Sequence, residues 1–490
     1  MSDEPGREAP SDLLAARRRK LEGLRAEGID PFPYAYPGVV PIAAVRQRHG
    51  GLDAGEETED VVRVAGRLAA RRDKGRAAFL DLTDRDGRIQ LLARVDDLGE
   101  DGYQRLLRLD LGDLLGGEGR VIATRAGELT IALTGYQLLA KSLRPPPEKH
   151  HGLRDTETRY RRRELDLMAN EEARALFLLR ARTIAAIRRF LDDEGFVEVE
   201  TPVLQPLYGG ALARPFVTHH RALDRRLYLR IATELYLKRL LVGGLERVYE
   251  LGKDFRNEGL SPKHNPEFTM LEWYEAYADY LGVAERFERL MEHVAQAVGY
   301  AGPHDLSAPW RRESVQDAIR QRTGVDVLAH RDRDSLAVEM RAHELEVPPD
   351  RTWAQLVDGE LISKHVEPQL EEPTLLLDYP VELSPFAKRH RSQEGLVERF
   401  EAFCGGIELA NAFTELNDPD EQRARFEAQR AAAAAGDEEA QPFDEAFLAA
   451  LEQGMPPTGG IGLGIDRLVM LLTNRRSIRE VVLFPQMRDV

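Results

Sequence analysis

Apolar and polar residues alternate in short runs between residues 61 and 137, and stretches that favour turns separate the runs. VVRVAGRLAARR, which begins at Val61, is followed by AAFLDLTD and GRIQLLARV, with a DRDG turn between the last two. Alternation with a period of two predicts strands with one buried face, and an Asp-Gly turn is typical of a hairpin. The amphipathic stretch DGYQRLLRLDLG then predicts a helix, and GEGRVIATRAGELTIALTGYQLL predicts two more strands.

Five strands with a helix after the third match the OB-fold, a small barrel whose face binds oligonucleotides. The proline-rich segment DPFPYAYPGVVP precedes these strands, and RPPPEKHHG follows them near Pro145. Proline clusters of this kind mark linkers. We therefore expect residues 1–50 to form a helical extension and linker, and residues 51–147 to form the barrel domain.

The remaining residues, 148–490, predict a larger α/β region. Phe177, Ile184, Ile187 and Leu191 recur at helical spacing, so Glu171–Glu194 is expected to form an amphipathic helix. VEVETPVLQP follows as an extended segment, and residues 310–370 predict a helical insertion. The other strand-like stretches lie in pairs joined by short turns, which favours an antiparallel sheet, and they cover residues 227–232, 246–256, 266–277, 398–416 and 459–465.

Composition narrows the class of protein. Of the 490 residues 42% are hydrophobic and 31% are charged, as in ordinary globular proteins. Cys404 is the single cysteine, which excludes an internal disulfide and fits a reducing cytoplasm. The polar N-terminus and the lack of a long apolar run predict neither a signal peptide nor a membrane span.

Charge along the chain is uneven. The net charge of −16 argues against nucleic-acid binding through bulk charge. Basic clusters nevertheless occur in the first third of the chain, at Arg17–Lys20, Arg71–Arg76 and Arg159–Arg163. Any one of them is explained by solvated surface charge, but together they favour an extended anionic partner.

The segment FRNEGLSPKHNPEFTMLEWYEAY combines cations, carboxylates and aromatic rings. Interpreted as two strands flanking a loop, it brings Arg256 next to Glu258 and Glu272 next to Tyr274, because side chains at i and i+2 share a face. A buried Arg256 would bind a phosphate or a carboxylate through two parallel hydrogen bonds, and Phe268 could stack on a base. An exposed hairpin with cross-strand ion pairs remains the alternative.

A second group of polar residues lies in RFEAFCGGIELANAFTELND. Glu401 and Glu408 flank a CGG turn, so a hairpin would place them opposite each other, and two facing carboxylates suit a divalent cation. Asn411, Phe413 and Glu415 alternate with small residues and would share one strand face. An ordinary half-exposed strand is the alternative.

The third group is GGIGLGIDRLVMLLTN, with four glycines between Gly459 and Gly464. Bare backbone allows a ligand to approach closely, and Arg467 follows where an apolar helix begins. A buried strand-to-helix turn capped by Asp466 is the alternative. A phosphate-binding P-loop is excluded, because the Gly-Lys-Ser/Thr pattern is missing.

Together these segments resemble the three signature motifs of class II aminoacyl-tRNA synthetases, most of all the bacterial lysyl-tRNA synthetases. GFVEVETPVLQPLYGGALARPFVTHH resembles the first motif and the dimer-forming segment, and ERVYELGKDFRNEGLSPKHNPEFTMLEWYEAYADY resembles the second. GIGLGIDRLVMLLTN, followed by SIREVVLFPQMR, resembles the third. The resemblance covers nearly the whole chain from about Arg63.

The resemblance implies an α+β multidomain fold, in which an N-terminal OB-fold barrel precedes an antiparallel-sheet catalytic domain with flanking helices. Residues 51–147 would bind the anticodon, and residues 148–490 would activate L-lysine with ATP and transfer it to tRNA(Lys). A homodimer in the cytoplasm is expected, with no membrane association.

Residue by residue, the resemblance implies a nucleotide site. Arg256 and Arg467 would be the catalytic residues, with Arg256 holding the α-phosphate of ATP and the amino-acid carboxylate. Phe268 and Arg467 would stack on the two faces of adenine, and Glu401 with Glu408 would hold Mg²⁺. The remaining contacts to ATP would come from Glu258, His264 and Asn265.

For the amino acid, the resemblance implies that Gly210 and Glu234 bind the α-amino group and that Asn411 assists at the carboxylate. Phe413 would pack on the aliphatic stem. The side-chain pocket would be lined by Glu272, Tyr274 and Glu415. The residues implied to contact the anticodon are Arg72, Phe79, Gln90 and Glu128.

The chain departs from the family pattern at three positions. Glu164 replaces the usual Tyr, Thr233 replaces a Pro, and Lys263 stands where many bacterial members have Arg. The first two lie outside the ligand-contacting positions named above. Lys263 could weaken a phosphate contact, because Lys is a point charge rather than a planar fork.

Three alternatives remain within this architecture. An aspartate- or asparagine-specific synthetase is disfavoured because a pocket with Glu272 and Glu415 suits a cationic side chain. A ligase that modifies a protein with lysine is disfavoured by the barrel. A regulator without catalytic activity is disfavoured because Arg256, Glu408 and Arg467 are all present.

Overall fold

A computed structural model of the protein describes residues 10–147, 153–211, 213–434 and 441–488. The chain forms two compact units, Met1–Arg174 and Ala175–Val490. The first nine residues of the predicted extension, and residues 148–152 at the start of the predicted second domain, lie outside the described residues. No helix in the described part of the chain is long and apolar enough to cross a membrane.

The first unit is built around a barrel. Its strands are β1 (Glu57–Asp73), β2 (Ala77–Thr83), β3 (Arg88–Arg94), β4 (Leu114–Ala123) and β5 (Leu129–Ala140). Its helices are α1 (Pro10–Ala26), α2 (Ile42–His49), α3 (Val95–Leu107), α4 (Thr156–Arg161) and α5 (Arg163–Ala169). The strands close in the order β1-β2-β3-β5-β4, and α3 follows the third strand, so the predicted OB-fold is confirmed.

The alternating pattern identifies the interior of this barrel correctly, and Val64, Leu80, Leu91 and Ile131 are fully buried in it. The helix differs in its bounds, because DGYQRLLRLDLG covers only the later part of α3 and runs past its end. Gly99, with φ of 70°, is not helical and interrupts the periodicity that would have shown the first turn.

The second unit is built around a large sheet. Its strands are β6 (Val197–Glu198), β7 (Leu204–Gln205), β8 (Val217–His220), β9 (Arg225–Leu229), β10 (Arg247–Phe255), β11 (Glu267–Ala276), β12 (Arg311–Ser314), β13 (Thr374–Pro380), β14 (Leu396–Cys404), β15 (Ile407–Thr414) and β16 (Thr458–Gly464). The main sheet has the order β12-β13-β14-β15-β16-β11-β10-β6, and β7-β9-β8 form a smaller one. In this spatial order, every pair of adjacent strands between β13 and β10 is antiparallel, as predicted. The outermost pairs, β12 with β13 and β10 with β6, are parallel.

Helices surround this sheet. They are α6 (Glu171–Asp193), whose first turn belongs to the first unit, α7 (Glu234–Val242), α8 (Tyr280–Val298), α9 (Val315–Thr323), α10 (Arg333–Ala342), α11 (Trp353–Gln355), α12 (Pro419–Ala434), α13 (Glu445–Leu451), α14 (Ile465–Leu472) and α15 (Ile478–Val481). A π-helical segment, Leu356–Val366, follows α11. Residues 310–370 therefore contain helices, but they begin with β12, whose sequence RRES has no apolar residue to reveal a strand.

A large hydrophobic cluster of the second unit lies on one face of the main sheet. Ile187 of α6, Phe287 of α8 and Leu468 of α14 are fully buried there, together with Trp273 of β11 and Ala412 of β15. Because side chains alternate along a strand, the residues next to Trp273 and Ala412 point to the opposite face. That opposite face carries the candidate site.

Candidate active site

Two rows of paired residues cross strands β11, β16, β15 and β14 on this opposite face. The first row is Glu272, Gly462, Asn411 and Glu401, and the second row is Tyr274, Gly460, Phe413 and Arg399. Residues paired across antiparallel strands point to the same side of the sheet. The middle strand contributes only glycine to both rows, so the polar side chains on either side border a trough.

The trough opens into a cavity of about 340 Å³. Most of the predicted site residues of this unit line it, namely Gly210, Glu234, Arg256, Glu258, His264, Asn265, Phe268, Glu272, Tyr274, Glu408, Asn411, Phe413 and Arg467. Glu401 and Glu415 do not line it.

Arg256 and Phe268 lie together at one end of the cavity. The guanidinium carbon of Arg256 is 5.1 Å from the centroid of the Phe268 ring, and the Arg256 backbone N–H donates to the Pro266 carbonyl at 2.9 Å. Because β10 ends at Phe255, the prediction that Arg256 and Glu258 share a strand face is wrong, although both line the cavity. A cation next to an aromatic ring suits a ligand with a flat base and a phosphate.

The loop between β10 and β11 also carries His264 and Asn265. Asn265 is buried, and its Nδ2 donates to the Glu267 carbonyl at 2.6 Å, which fixes the amide. The His264 Nδ1 lies 2.8 Å from the Ser261 hydroxyl oxygen. Burial, together with the charge of Arg467, lowers the pKa of His264, so the imidazole is neutral at pH 7.

Arg467 is held by Glu408 on the other side of this end of the cavity. Its guanidinium donates to the Glu408 carboxylate at 2.7 Å and to the Glu408 carbonyl at 3.0 Å. Burial alone would raise the pKa of Glu408, but Arg467 outweighs burial and keeps the pKa below its usual value. The neighbouring Asp466 does not cap α14; it accepts from the Thr269 backbone at 2.7 Å and pairs with Arg180 at 2.6 Å.

The prediction that Glu401 and Glu408 face each other across the hairpin is wrong in register. Glu401 pairs with Asn411 and Glu408 pairs with Phe403, because a bulge at Ala402 and Phe403 shifts the two strands. Glu401 is held by Tyr379, whose hydroxyl donates to it at 2.7 Å, and by Arg399 at 2.5 Å.

The two carboxylates nevertheless fit a divalent cation. Burial raises the pKa of Glu401 to about 7 against the opposing charge of Arg399, and the negative charge of Glu408 adds to the effect. No cluster of three or more metal-ligating side chains occurs among the described residues, so a cation here would take its other ligands from phosphate and water. Mg²⁺ commonly binds in this way, through one or two carboxylates and substrate phosphates.

Glu272 and Tyr274 lie at the other end of the cavity. The Tyr274 hydroxyl donates to Glu272 at 3.1 Å, and the Thr233 backbone N–H donates to the other Glu272 oxygen at 3.2 Å. Glu272 makes no salt bridge to any residue that the structure describes. Burial, reinforced by the charges of Asp254 and Glu234, raises the pKa of Glu272 to about 8. A buried carboxylate without a cation is a natural binding site for an ammonium group.

Gly210 and Glu234 border the same end. Gly210 has φ of 90°, and a Cβ there would lie 3.0 Å from the Glu234 Cβ, so glycine is required on both counts. The Gly210 N–H donates to the Gln441 side chain at 3.1 Å, and Gln441 in turn donates to the Ala211 carbonyl. Gln441 therefore fixes the loop that carries Gly210.

Glu415 lies behind the cavity wall rather than on it. One of its oxygens is 2.5 Å from the Lys238 ammonium, although neither oxygen meets hydrogen-bond geometry with a described residue. A Cβ on Gly460 would overlap both the Glu415 carboxylate and the Tyr274 ring. The glycines of β16 thus have two roles, since Gly462 and Gly464 line the cavity while Gly460 makes room for pocket side chains.

In the first unit, three of the four residues predicted to contact the anticodon lie on strands β1 to β3 of the barrel. Arg72 pairs with Phe79 across β1 and β2, and Gln90 pairs with Asp81 across β2 and β3. Phe79 is half-buried, and Arg72 donates to Asp81 at 3.0 Å. Glu128, immediately before β5, is the fourth predicted residue, and its side chain is partly exposed.

Comparison with known proteins agrees with this geometry. A model of class II tRNA synthetases for D, K and N matches residues 155–488, and a model of the OB-fold nucleic acid binding domain matches residues 62–144. The lysine–tRNA ligase of Moorella thermoacetica is 51% identical over 491 residues, which cover 98% of this chain and 99% of the relative. That of Bacillus subtilis is 48% identical over 496 residues, which cover 99% of both proteins. This chain belongs to the class II lysine–tRNA ligase family.

Within this family, sequence reasoning missed several residues that shape the site. Arg399 lines the cavity and donates to Asn411 at 3.0 Å, and its strand position one row from Glu401 was the available signal. Thr233 was placed outside the contacts, yet its N–H reaches Glu272, and the usual family Pro has no N–H to donate. The available signal for Lys238 was its spacing of four residues from Glu234, whereas Gln441 gave no signal, because it contacts a pocket residue far away in the chain.

Proposed function

We propose that this protein activates L-lysine with ATP and transfers the lysyl group to tRNA(Lys). The observation that carries this proposal is the polarity of the cavity, which has Arg256 and Arg467 at one end and, at the other, Glu272 with no salt bridge to a described residue. A substrate that spans it needs anionic groups at the first end and a cationic group at the second. Family membership supports the same reaction.

At the nucleotide end, Arg256 would bind the α-phosphate and the lysine carboxylate. Adenine would stack between Phe268 and Arg467. Glu258, His264 and Asn265 would contact the adenine and the phosphates, and the neutral His264 would not compete with the arginines for them. Arg256 and Arg467 are the proposed catalytic residues because positive charge there neutralises the negative charge on the α-phosphate oxygens in the transition state.

At the amino-acid end, Gly210 and Glu234 would bind the α-ammonium, and Asn411 would assist at the carboxylate. Glu272 and Tyr274 would bind the side-chain ammonium, and Phe413 would pack against the four-carbon stem. Glu415 does not line the cavity, so in this proposal it acts on the pocket through its contact with Lys238. An aspartate side chain would place a second carboxylate against Glu272, which disfavours an aspartate substrate.

The reaction needs no general base in its first step, since the lysine carboxylate is already ionised. A carboxylate oxygen attacks the α-phosphorus in line, and the bond to the β-phosphate oxygen breaks to release pyrophosphate. A terminal ribose hydroxyl of the tRNA then attacks the lysyl carbonyl, and AMP leaves. The protein contributes positioning and charge neutralisation.

Mg²⁺ is the proposed metal at Glu401 and Glu408, where it would supply further positive charge to the phosphates. Within the chain itself, Glu408 keeps Arg467 in place, and Arg399 with Tyr379 keeps Glu401 in place. The two carboxylates are thereby oriented for a ligand before it arrives.

The barrel would read the anticodon through Phe79, Gln90, Glu128 and Arg72. Phe79 is available for stacking because it is half-buried on a satellite cluster with Leu92, outside the main barrel core. We expect Phe79→Ala to reduce tRNA charging without altering amino-acid activation. Val61→Ala, at an exposed apolar residue of β1, is the matched control, and equal charging by both variants would contradict the assignment.

We also propose a homodimer that buries the outer edge around β6 and β7. Val197, Val203 and Leu204 are exposed there, as is Val217 on β8. A short edge strand with exposed apolar residues calls for a covering partner, and a second copy supplies a complementary edge. Sedimentation should give a dimer for the protein and a monomer for Val197→Asp. An active monomeric wild type would contradict this.

Aminoacylation tests the proposed function directly. The purified protein, ATP and a tRNA(Lys) transcript should yield tRNA charged with labelled lysine and not with aspartate or asparagine. We expect the reaction to take place in the cytoplasm, where ribosomes consume charged tRNA. Charging with aspartate in preference to lysine would overturn the substrate assignment.

A further inference from the structure

Lys238 is a fully buried cation in a pocket that we propose to bind cations. Its ammonium lies 2.5 Å from a carboxylate oxygen of Glu234 and 2.5 Å from one of Glu415, and its side chain is 0% exposed. The ring centroid of Phe386, which lines the cavity, is 5.4 Å away. The lysine therefore bridges a residue on the cavity wall and a residue behind it.

The local sequence explains how this bridge forms. Glu234 and Lys238 are four residues apart on α7, so they lie on the same face one turn apart. Glu415 follows the end of β15 and reaches the same ammonium because Gly460 leaves space for it. Burial favours loss of the Lys238 proton, but Glu234 and Glu415 outweigh burial and raise the pKa of Lys238, so it stays charged.

The charges around the amino-acid end of the cavity do not balance. Among the described residues this end holds three carboxylates, on Glu234, Glu272 and Glu415, and one ammonium, on Lys238. Asp254 also acts on Glu272, but it does not line the cavity, and it shares Arg230 with Glu250. When the four groups at this end are ionised, they lack two positive charges, which is the number of ammonium groups on lysine.

We propose that Lys238 is a positioning residue that holds Glu234 at the cavity wall and, by neutralising one of three carboxylates, sets the pocket to accept an amino acid with two ammonium groups. The inference rests on the proposed function. Without Lys238 the pocket would lack three positive charges and Glu234 would lose its anchor. An amino acid with one ammonium would leave Glu272 unpaired in either case.

If Lys238 had a purely structural role, a side chain of similar volume without a charge would leave lysine binding unchanged. Methionine preserves most of the volume and apolar character of the lysine stem, so Lys238→Met tests the charge rather than the packing. Lys364→Met is the matched control, because the exposed Lys364 makes the same contact at 2.5 Å with Glu360, four residues earlier, outside the cavity. Lys238→Met combined with Glu415→Gln removes one charge of each sign and restores the original balance.

Lysine-dependent pyrophosphate exchange is the readout. We expect Lys238→Met to raise the KM for lysine by roughly 100-fold or more, since it leaves a buried carboxylate unpaired. The KM for ATP should stay within about twofold of wild type, because no ATP contact is removed. The double variant should recover at least about tenfold of the lost affinity, because its charges balance again.

Three results would overturn the inference. They are a Lys238→Met enzyme with the lysine KM of Lys364→Met, a double variant weaker than Lys238→Met, and equal losses for lysine and ATP. If Lys238→Met fails to fold, a folded and active double variant still supports the charge argument, and an inactive one refutes it. Failure of the proposed function is distinct, because the wild type itself would then show no lysine-dependent exchange.

Discussion

Glu272 of β11 and Asn411 of β15 pair with the same residue of the strand between them, Gly462. The proposed ligands of the lysine side chain and of its carboxylate thus lie on the two sides of a residue without a side chain. A Cβ at Gly462 would make only ordinary contacts, at 3.7 Å from the Glu272 Cγ and the Met270 sulfur. Alanine there should fold normally and place its methyl in the cavity.

We therefore expect Gly462→Ala to raise the KM for lysine by about 10- to 100-fold, the range for one misplaced methyl group in a pocket. Gly464→Ala is the matched comparison, because its Cβ would lie 3.7 Å from the Arg467 side chain, at the nucleotide end. That variant should raise the KM for ATP instead. Exchange kinetics that show the same pattern for both variants would contradict the division of the cavity.

Thr233 provides a second test, because its backbone N–H donates to Glu272 at 3.2 Å. Thr233→Pro removes that donor, whereas Thr233→Ala keeps it. A single hydrogen bond contributes about 1 kcal/mol net, and the Tyr274 hydroxyl still donates to Glu272, so the proline variant should raise the lysine KM by about 5-fold. Indistinguishable kinetics for the two variants would show that this hydrogen bond does not contribute to lysine binding.

The sequence was sufficient for much of the fold, and the reason lies in periodicity. Alternation revealed β10, β11 and β16, and helical spacing revealed α6, because each of these elements packs one face against a core. β12 stayed hidden, since four polar residues at an edge are held in the sheet by pairing with β13.

Periodicity also predicted which site residues share a strand face, but it could not predict the register between strands. Tyr274 and Glu272 share a face by alternation alone, but their alignment with Phe413 and Asn411 through the glycines depends on tertiary pairing. The bulge that separates Glu401 from Glu408 is equally invisible to a pattern argument. Contacts such as that of Thr233 with Glu272 arise only when distant segments meet.

Proton release should accompany lysine binding. Burial raises the pKa of Glu272 to about 8, and no salt bridge to a described residue opposes this shift, so the Glu272 carboxyl holds a proton in the empty pocket at pH 7. An ammonium group favours the ionised form, and binding should therefore release up to about one proton per lysine. Lysine affinity should rise as pH increases from about 6 to 8 and level off above, because deprotonation then no longer opposes binding.

Calorimetry in buffers of different ionisation enthalpy measures these protons directly. Glu272→Gln removes the titrating group and should reduce the number of protons released. ATP binding is the internal control, since it does not involve this carboxyl. A lysine affinity independent of pH, with no proton release, would show that Glu272 is already ionised in the empty pocket.

Glu408→Gln tests the nucleotide end. The substitution removes the charge that holds Arg467 and one of the two carboxylates proposed to bind Mg²⁺, so the rate of exchange should fall by about 100-fold or more. Lysine binding, measured by calorimetry without ATP, should change by less than about threefold, because Glu408 lies outside the amino-acid end. The control is Glu372→Gln, the same chemical change at an exposed carboxylate. Parallel loss of lysine affinity and exchange would contradict the separate roles of the two ends.

The central claim is that this cavity selects an amino acid with a second ammonium group and joins it to AMP. The most direct measurement is ATP–pyrophosphate exchange by the wild-type protein with each of the standard amino acids and with ornithine. We predict exchange with lysine far above every other standard amino acid, and ornithine as the strongest competitor, because one methylene provides only ~1–3 kcal/mol of discrimination. Faster exchange with aspartate or asparagine than with lysine would contradict the account.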